Sequence, residues 1–162
     1  MNQELLSHLV GQVIRVDRGG PHSAVGRLLY AGSDFFVIMT KKDGVVIYKT
    51  HHVKSITHDS KDGMDDDRGP DNLEAFNKPD FLSVISQFCK RWVKINPEKL
   101  EGVLDEVNDD YITIINKEEI IHVSVFHIRN MSTGMGVGNN DNEENNEDNN
   151  NNDGNGRRRR RR

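Results

Sequence analysis

The sequence predicts a mainly β protein: two tandem small antiparallel barrels, each behind a short N-terminal helix, then a disordered C-terminal tail. Three observations carry this. Segments near the start return in the second half, and the last three matched pairs share an offset of 75 residues. Each copy is a series of short β-branched or alternating runs punctuated by Gly, Asp and Asn. Finally, no aliphatic or aromatic residue follows Val137, so the end of the chain has nothing to bury against its ordering entropy.

The copies align as follows. Val13-Ile14-Arg15-Val16 matches Trp92-Val93-Lys94-Ile95, and Gly26-Arg27-Leu28-Leu29 matches Gly102-Val103-Leu104-Asp105. Phe36 to Thr40 matches Tyr111 to Ile115, Val45 to Thr50 matches Ile120 to Val125, and His51 to Ile56 matches Phe126 to Met131. The second copy lacks about three residues where the first has Arg18-Gly19-Gly20-Pro21.

Taken in order, residues 1–58 form the first barrel copy. Leu5, Leu6, Leu9 and Val10 give an opening helical stripe. The turn Gly19-Gly20-Pro21 is a structural site, where at least one glycine should take positive φ to reverse the chain. Asp43-Gly44 between apolar runs signals a hairpin. Residues 59–80 are acidic and rich in turn formers, which reads as a linker or surface loop. Residues 81–132 form the second copy, with Asp80 as the N-cap of a helix carrying Phe81, Leu82, Ile85 and Phe88. Residues 133–162 are the Asn/Asp/Glu-rich tail ending in six arginines. A helix plus five bent strands in so short a copy suggests an SH3-like or Sm-like barrel. One copy alone buries too little surface, so the two should pack together.

Charge is segregated. Residues 1–58 carry +3, 59–80 −5, 81–132 −2, 133–156 −6 and the terminal arginines +6, within a net charge of −4. Such blocks bear on partners and solvation. No stretch reaches the length of apolar chain that spans a bilayer. Met1 to Val10 carries Glu4 and no basic region, so it does not read as a secretory signal. Cys89 is a single thiol, read as a small buried apolar residue.

The first copy carries Val16-Asp17-Arg18-Gly19-Gly20-Pro21, then Gly26-Arg27-Leu28, and closes on His51-His52-Val53-Lys54-Ser55-Ile56. The second carries Arg91-Trp92-Val93-Lys94-Ile95-Asn96 and closes on Phe126-His127-Ile128. This resembles the spore coat protein B family of endospore-forming bacilli, over about residues 5–132. The resemblance implies synthesis in the mother cell, a place in the spore coat and a structural role without enzymatic activity. It also implies other coat proteins, or further copies, as partners. Two departures stand out: Pro97-Glu98-Lys99 replaces the Arg-Gly-Gly-Pro turn in the second copy, and the tail has no serine after Ser132. Serine phosphorylation of the tail, which family members undergo, does not carry over.

The remaining candidates for chemistry weigh little. His51 and His52, adjacent on an expected strand, would point to opposite faces, and no His/Cys spacing matches a zinc site. The aspartates at 59, 62 and 65 to 67 lack the calcium-loop pattern. Gly134, Gly136 and Gly138 precede no helix, as a phosphate loop must. The reading therefore expects no catalytic residue, metal or cofactor. Arg157, Arg158, Arg159, Arg160, Arg161 and Arg162 are the candidate partner-binding residues, able to clamp carboxylates or phosphates. The competing class is a nucleic-acid-binding Sm-like protein, supported by the cations of the first copy. The acidic whole and the scarcity of aromatic residues count against it.

Overall fold

Two capped helices mark the two halves of the chain. Asn2 accepts a hydrogen bond from the Glu4 amide at 2.9 Å and opens α1 (Gln3–Leu9). Asp80 accepts from the Ser83 amide at 2.8 Å and opens α2 (Phe81–Ser86), the N-cap role its position predicts. The structure, a computed structural model, describes residues 1–59 and 73–134. The central part of the acidic segment 59–80 lies outside these residues. So do the tail after Gly134, its expected disorder and the six terminal arginines.

Each half follows its helix with five strands. The first has β1 (Val13–Val16), β2 (Ala24–Ala31), β3 (Phe35–Thr40), β4 (Gly44–Lys49) and β5 (Ile56–His58). The second has β6 (Trp92–Ile95), β7 (Leu100–Val107), β8 (Tyr111–Asn116), β9 (Glu119–Ser124) and β10 (Asn130–Ser132). A single 3-10 turn joins β4 to β5 (Thr50–His52) and β9 to β10 (Val125–His127). The ten strands of the described residues belong to one antiparallel sheet in the order β5-β1-β2-β3-β4-β10-β6-β7-β8-β9. The order within each half is the same, and the two halves meet where β4 pairs with β10.

Register follows the sequence alignment in most places. Ile14 faces Gly26 as Val93 faces Gly102, so the β1–β2 connection is the longer by three residues. Gly26 and Gly102 have a steric reason to match: a Cβ on Gly102 would meet the Ile115 carbonyl oxygen at 2.6 Å, and one on Gly26 would strike the Met39 carbonyl. The third strand corrects the alignment by one residue. Leu28 faces Ile38 as Leu104 faces Ile114, so Phe35 and not Phe36 corresponds to Tyr111. The second hairpin loop is one residue shorter, and a one-residue slip would have turned every side chain of β8 to the wrong face. Left-handed backbone recurs at matched places: Gly11 and Lys90, Asp17 and Asn96.

Two hydrophobic clusters result. One lies within the first half, where Leu6, Leu9, Ile14, Leu28, Phe36 and Ile38 pack together. The other is shared: Phe35, Val37, Val45 and Ile47 from the outer face of β3 and β4 pack with α2 and the interior of the second half. Both faces of β3 and β4 are therefore buried, which explains their unbroken apolar runs. Phe76, just before α2, is buried in the shared cluster. The helical stripe of α1 is only half used, since Leu6 and Leu9 are buried while Leu5 and Val10 are exposed.

Candidate assembly interface

The junction between the halves is the best-built polar and apolar site among the described residues. β10 lies antiparallel against β4, with Asn130 opposite Tyr48, Met131 opposite Ile47 and Ser132 opposite Val46. The Lys49 amide donates to the Arg129 carbonyl at 2.9 Å and the Thr133 amide to the Val45 carbonyl at 3.2 Å. All six residues of β4 are buried as a result.

Side chains reinforce the pairing. Lys49 is buried, with its ammonium 5.2 Å from the centre of the Phe81 ring and donating to the Val125 carbonyl. Burial pushes that ammonium below its ordinary pKa, and the Asp34 carboxylate works against the shift. Asp34, in the β2–β3 hairpin, accepts from the Phe81 amide at 2.8 Å and so caps the helix of the other half. Arg129 donates to Asp17 at 2.9 Å and to the His52 carbonyl at 3.2 Å, a partly buried ion pair across the junction. Lys94 and Asp43 lie 3.9 Å apart on the same seam. Burial, followed by the carboxylates of Asp17 and Asp43, pushes the Tyr48 hydroxyl up to about 12.

The two central histidines differ from the expected strand geometry. Thr50–His52 is a 3-10 turn, and its tighter coil sets the rings of His51 and His52 side by side, 4.2 Å apart. His52 Nε2 donates to the Phe126 carbonyl at 3.0 Å. Burial lowers its pKa, and the neighbouring His51 adds to the effect.

Of the sequence-named site residues, Gly19 adopts φ +83°, and the Ser23 amide closes the turn onto the Gly20 carbonyl at 3.0 Å. Pro21 lines an open cleft of about 610 Å³ at the seam, together with Arg27, Lys41, Lys42 and Lys94. Val46, Tyr48, Asn130 and Ser132 of the β4–β10 pairing line the same cleft, and Arg157 to Arg162 lie outside the described residues. Sequence reasoning missed Lys49, Asp34 and the Arg129–Asp17 pair. It did contain a signal for Asp17, because an Asx residue ends both Val16-Asp17 and Ile95-Asn96.

The chain is 34% identical over 133 residues to spore coat protein B of Bacillus subtilis (strain 168). The relationship is spore coat protein B-like. The matched region covers 80% of this chain and 34% of that protein, so the chain spans about a third of its relative's length. No protein-family model matches the chain, and no solved structure matches it. Among the described residues, no helix is long and apolar enough to cross a membrane.

Proposed function

We propose that the protein is a non-enzymatic structural component of the spore coat, laid down from the mother cell and held by contacts with other coat proteins or with itself. The single observation behind this is the similarity to spore coat protein B over 80% of the chain. The fold supports it in physical terms. Each half has the strand order β5-β1-β2-β3-β4 or its equivalent, which we read as a tandem of two Sm-like barrels. The seam between them is an extended strand pairing, the kind of contact a scaffold protein uses. The terminal arginines add electrostatic adhesion to acidic neighbours. A fluorescent fusion followed through sporulation tests the reading. Signal collecting around the forespore supports it, and signal spread evenly through a sporulating cell overturns it.

One observation favours a second reading. Arg27, Lys41, Lys42 and Lys94 line the seam cleft, and an Sm-like barrel with such a cleft is suited to a phosphate backbone. On that reading, affinity for single-stranded RNA falls steeply with salt and is lost in Lys41→Glu/Lys42→Glu. Salt-independent or absent binding removes it.

A further inference from the structure

Inside the chain, the outer edge of β4 is closed by β10. The corresponding edges at the two ends of the sheet belong to β9 and β5, and among the described residues no strand lies against either. We propose that a second copy of this chain supplies the missing strand: β9 of one copy pairs antiparallel with β5 of the next, repeating the β4–β10 junction between molecules. This deepens the structural role proposed above and rests on it for the location in the coat, though not for the contact itself.

Carrying over the β4–β10 register sets Val123 opposite Ser55 of the second copy, His122 opposite Ile56 and Ile121 opposite Thr57. Burial shows what the pairing would cover. Val45 at the closed junction is 8% exposed, whereas its counterpart Ile120 is 65% exposed. Val84 of α2, which packs against both β4 and β7, is 0% exposed, whereas its counterpart Leu5 on α1 is 48% exposed. Two apolar side chains thus stand in solvent at opposite ends of the sheet, at the places where their counterparts are buried together.

Charge follows the same correspondence. The seam pair Lys94 and Asp43 has Arg15 and Glu118 as its counterparts, one at each open end and with the signs kept. The half bearing β5 carries +3 and the half bearing β9 carries −2, so head-to-tail contact sets opposite charges together. β9 runs Glu-Ile-Ile-His-Val-Ser, without the proline or lysine that blunts a sheet edge against pairing. The contact is heterologous, so it builds a closed ring or an open filament. Ser124 and His122 stand where Lys49 and Ile47 stand at the internal seam, which makes the junction between molecules the weaker one.

Ser124 provides the test. Its counterpart Lys49 donates its amide across the internal seam, and Ser124 has φ −60°, the value that proline imposes. Ser124→Pro therefore removes the outward donor without disturbing the strand. In sedimentation of the full chain over a concentration series, the unsubstituted protein is expected to grow beyond one chain's mass. Ser124→Pro should associate about tenfold more weakly or less, as for a lost backbone hydrogen bond plus a steric clash, with an unchanged circular-dichroism melt. An independent arm uses Arg15→Glu and Glu118→Arg. Each alone should weaken association, and a mixture of the two should restore it. A protein that stays at one chain's mass at every concentration overturns the proposal. So does a Ser124→Pro protein that assembles normally, or a mixture no better than either variant. Forespore localisation separates this from the coat reading: a monomer that still collects there removes the self-pairing alone, and an assembling protein absent from the coat removes the coat reading alone.

Discussion

Asp17 and Asn96 perform one backbone task at matched places. Each follows the first strand of its half in a left-handed conformation, with φ of +50° and +56°. Asp17 accepts the Lys54 amide at 2.7 Å, and Asn96 accepts the Arg129 amide at 2.8 Å, so each ties the chain entering the last strand to the end of the first. Asp and Asn are the residues that tolerate this conformation while offering a side-chain acceptor. Only Asp17 adds a charge, which meets Arg129 across the seam. Asp17→Asn should therefore keep the tie and lose the ion pair, at about 1 to 3 kcal/mol because the pair is partly buried. Asp17→Ala should lose both and cost about 1 kcal/mol more by also stranding the Lys54 amide. Urea midpoints measure both, and equal losses in the two variants would assign the whole effect to the charge. Gly19 presents the opposite case, because φ +83° with no side chain nearby makes backbone strain the sole obstacle to substitution. Gly19→Val should lower stability by about 1 to 3 kcal/mol, and a melting temperature equal to the parent's would show that the turn does not need its glycine.

Strands β3 and β4 explain what was and was not legible in the sequence. Their unbroken apolar runs, Phe-Phe-Val-Ile-Met and Val-Val-Ile-Tyr, announce burial on both faces, whereas Glu-Ile-Ile-His-Val-Ser of β9 has polar residues at both ends and in its middle. Helix, strand and hairpin order could be read from such patterns and from Gly-rich turns. The edge-to-edge joining of the halves could not, because strand pairing across the chain leaves no local spacing. Lys49 was hidden for the same reason: its burial depends on Phe81 and Val125, which only the seam brings near. Tyr48 carries a consequence for pH. Its folded pKa is raised from 10.0 to about 12, so its stabilisation is complete below about pH 10 and is lost as pH rises towards about 12, where the unfolded chain gives up the proton first. The loss is on the order of 2 to 3 kcal/mol. Tyr48→Phe should hold its urea midpoint better than the parent between about pH 9 and about pH 11; parallel losses in both proteins would place the alkaline sensitivity elsewhere.

At the scale of the whole molecule, the shared cluster decides how the protein unfolds. A chain of two barrels joined by a linker would melt in two steps, each half protecting its own core. Here Phe35, Val37, Val45 and Ile47 turn away from the cluster of their own half and pack with Phe81, Val84 and Ile128 of the other. Melting the second half alone would strip cover from four large apolar side chains of the first, together with the Lys49 and Asp34 contacts to α2. A partly unfolded state is thereby raised above both end states, and a single cooperative transition follows. Trp92 is the only tryptophan and sits in the second half, so its fluorescence follows that half while far-ultraviolet circular dichroism follows both. The two signals should give one urea midpoint. Ile47→Ala, made in the first half but within the shared cluster, should shift both by the same amount, corresponding to about 2 to 5 kcal/mol. A tryptophan midpoint that stays fixed while the circular-dichroism midpoint falls would show that the halves fold independently, and the seam would then be a contact between finished domains.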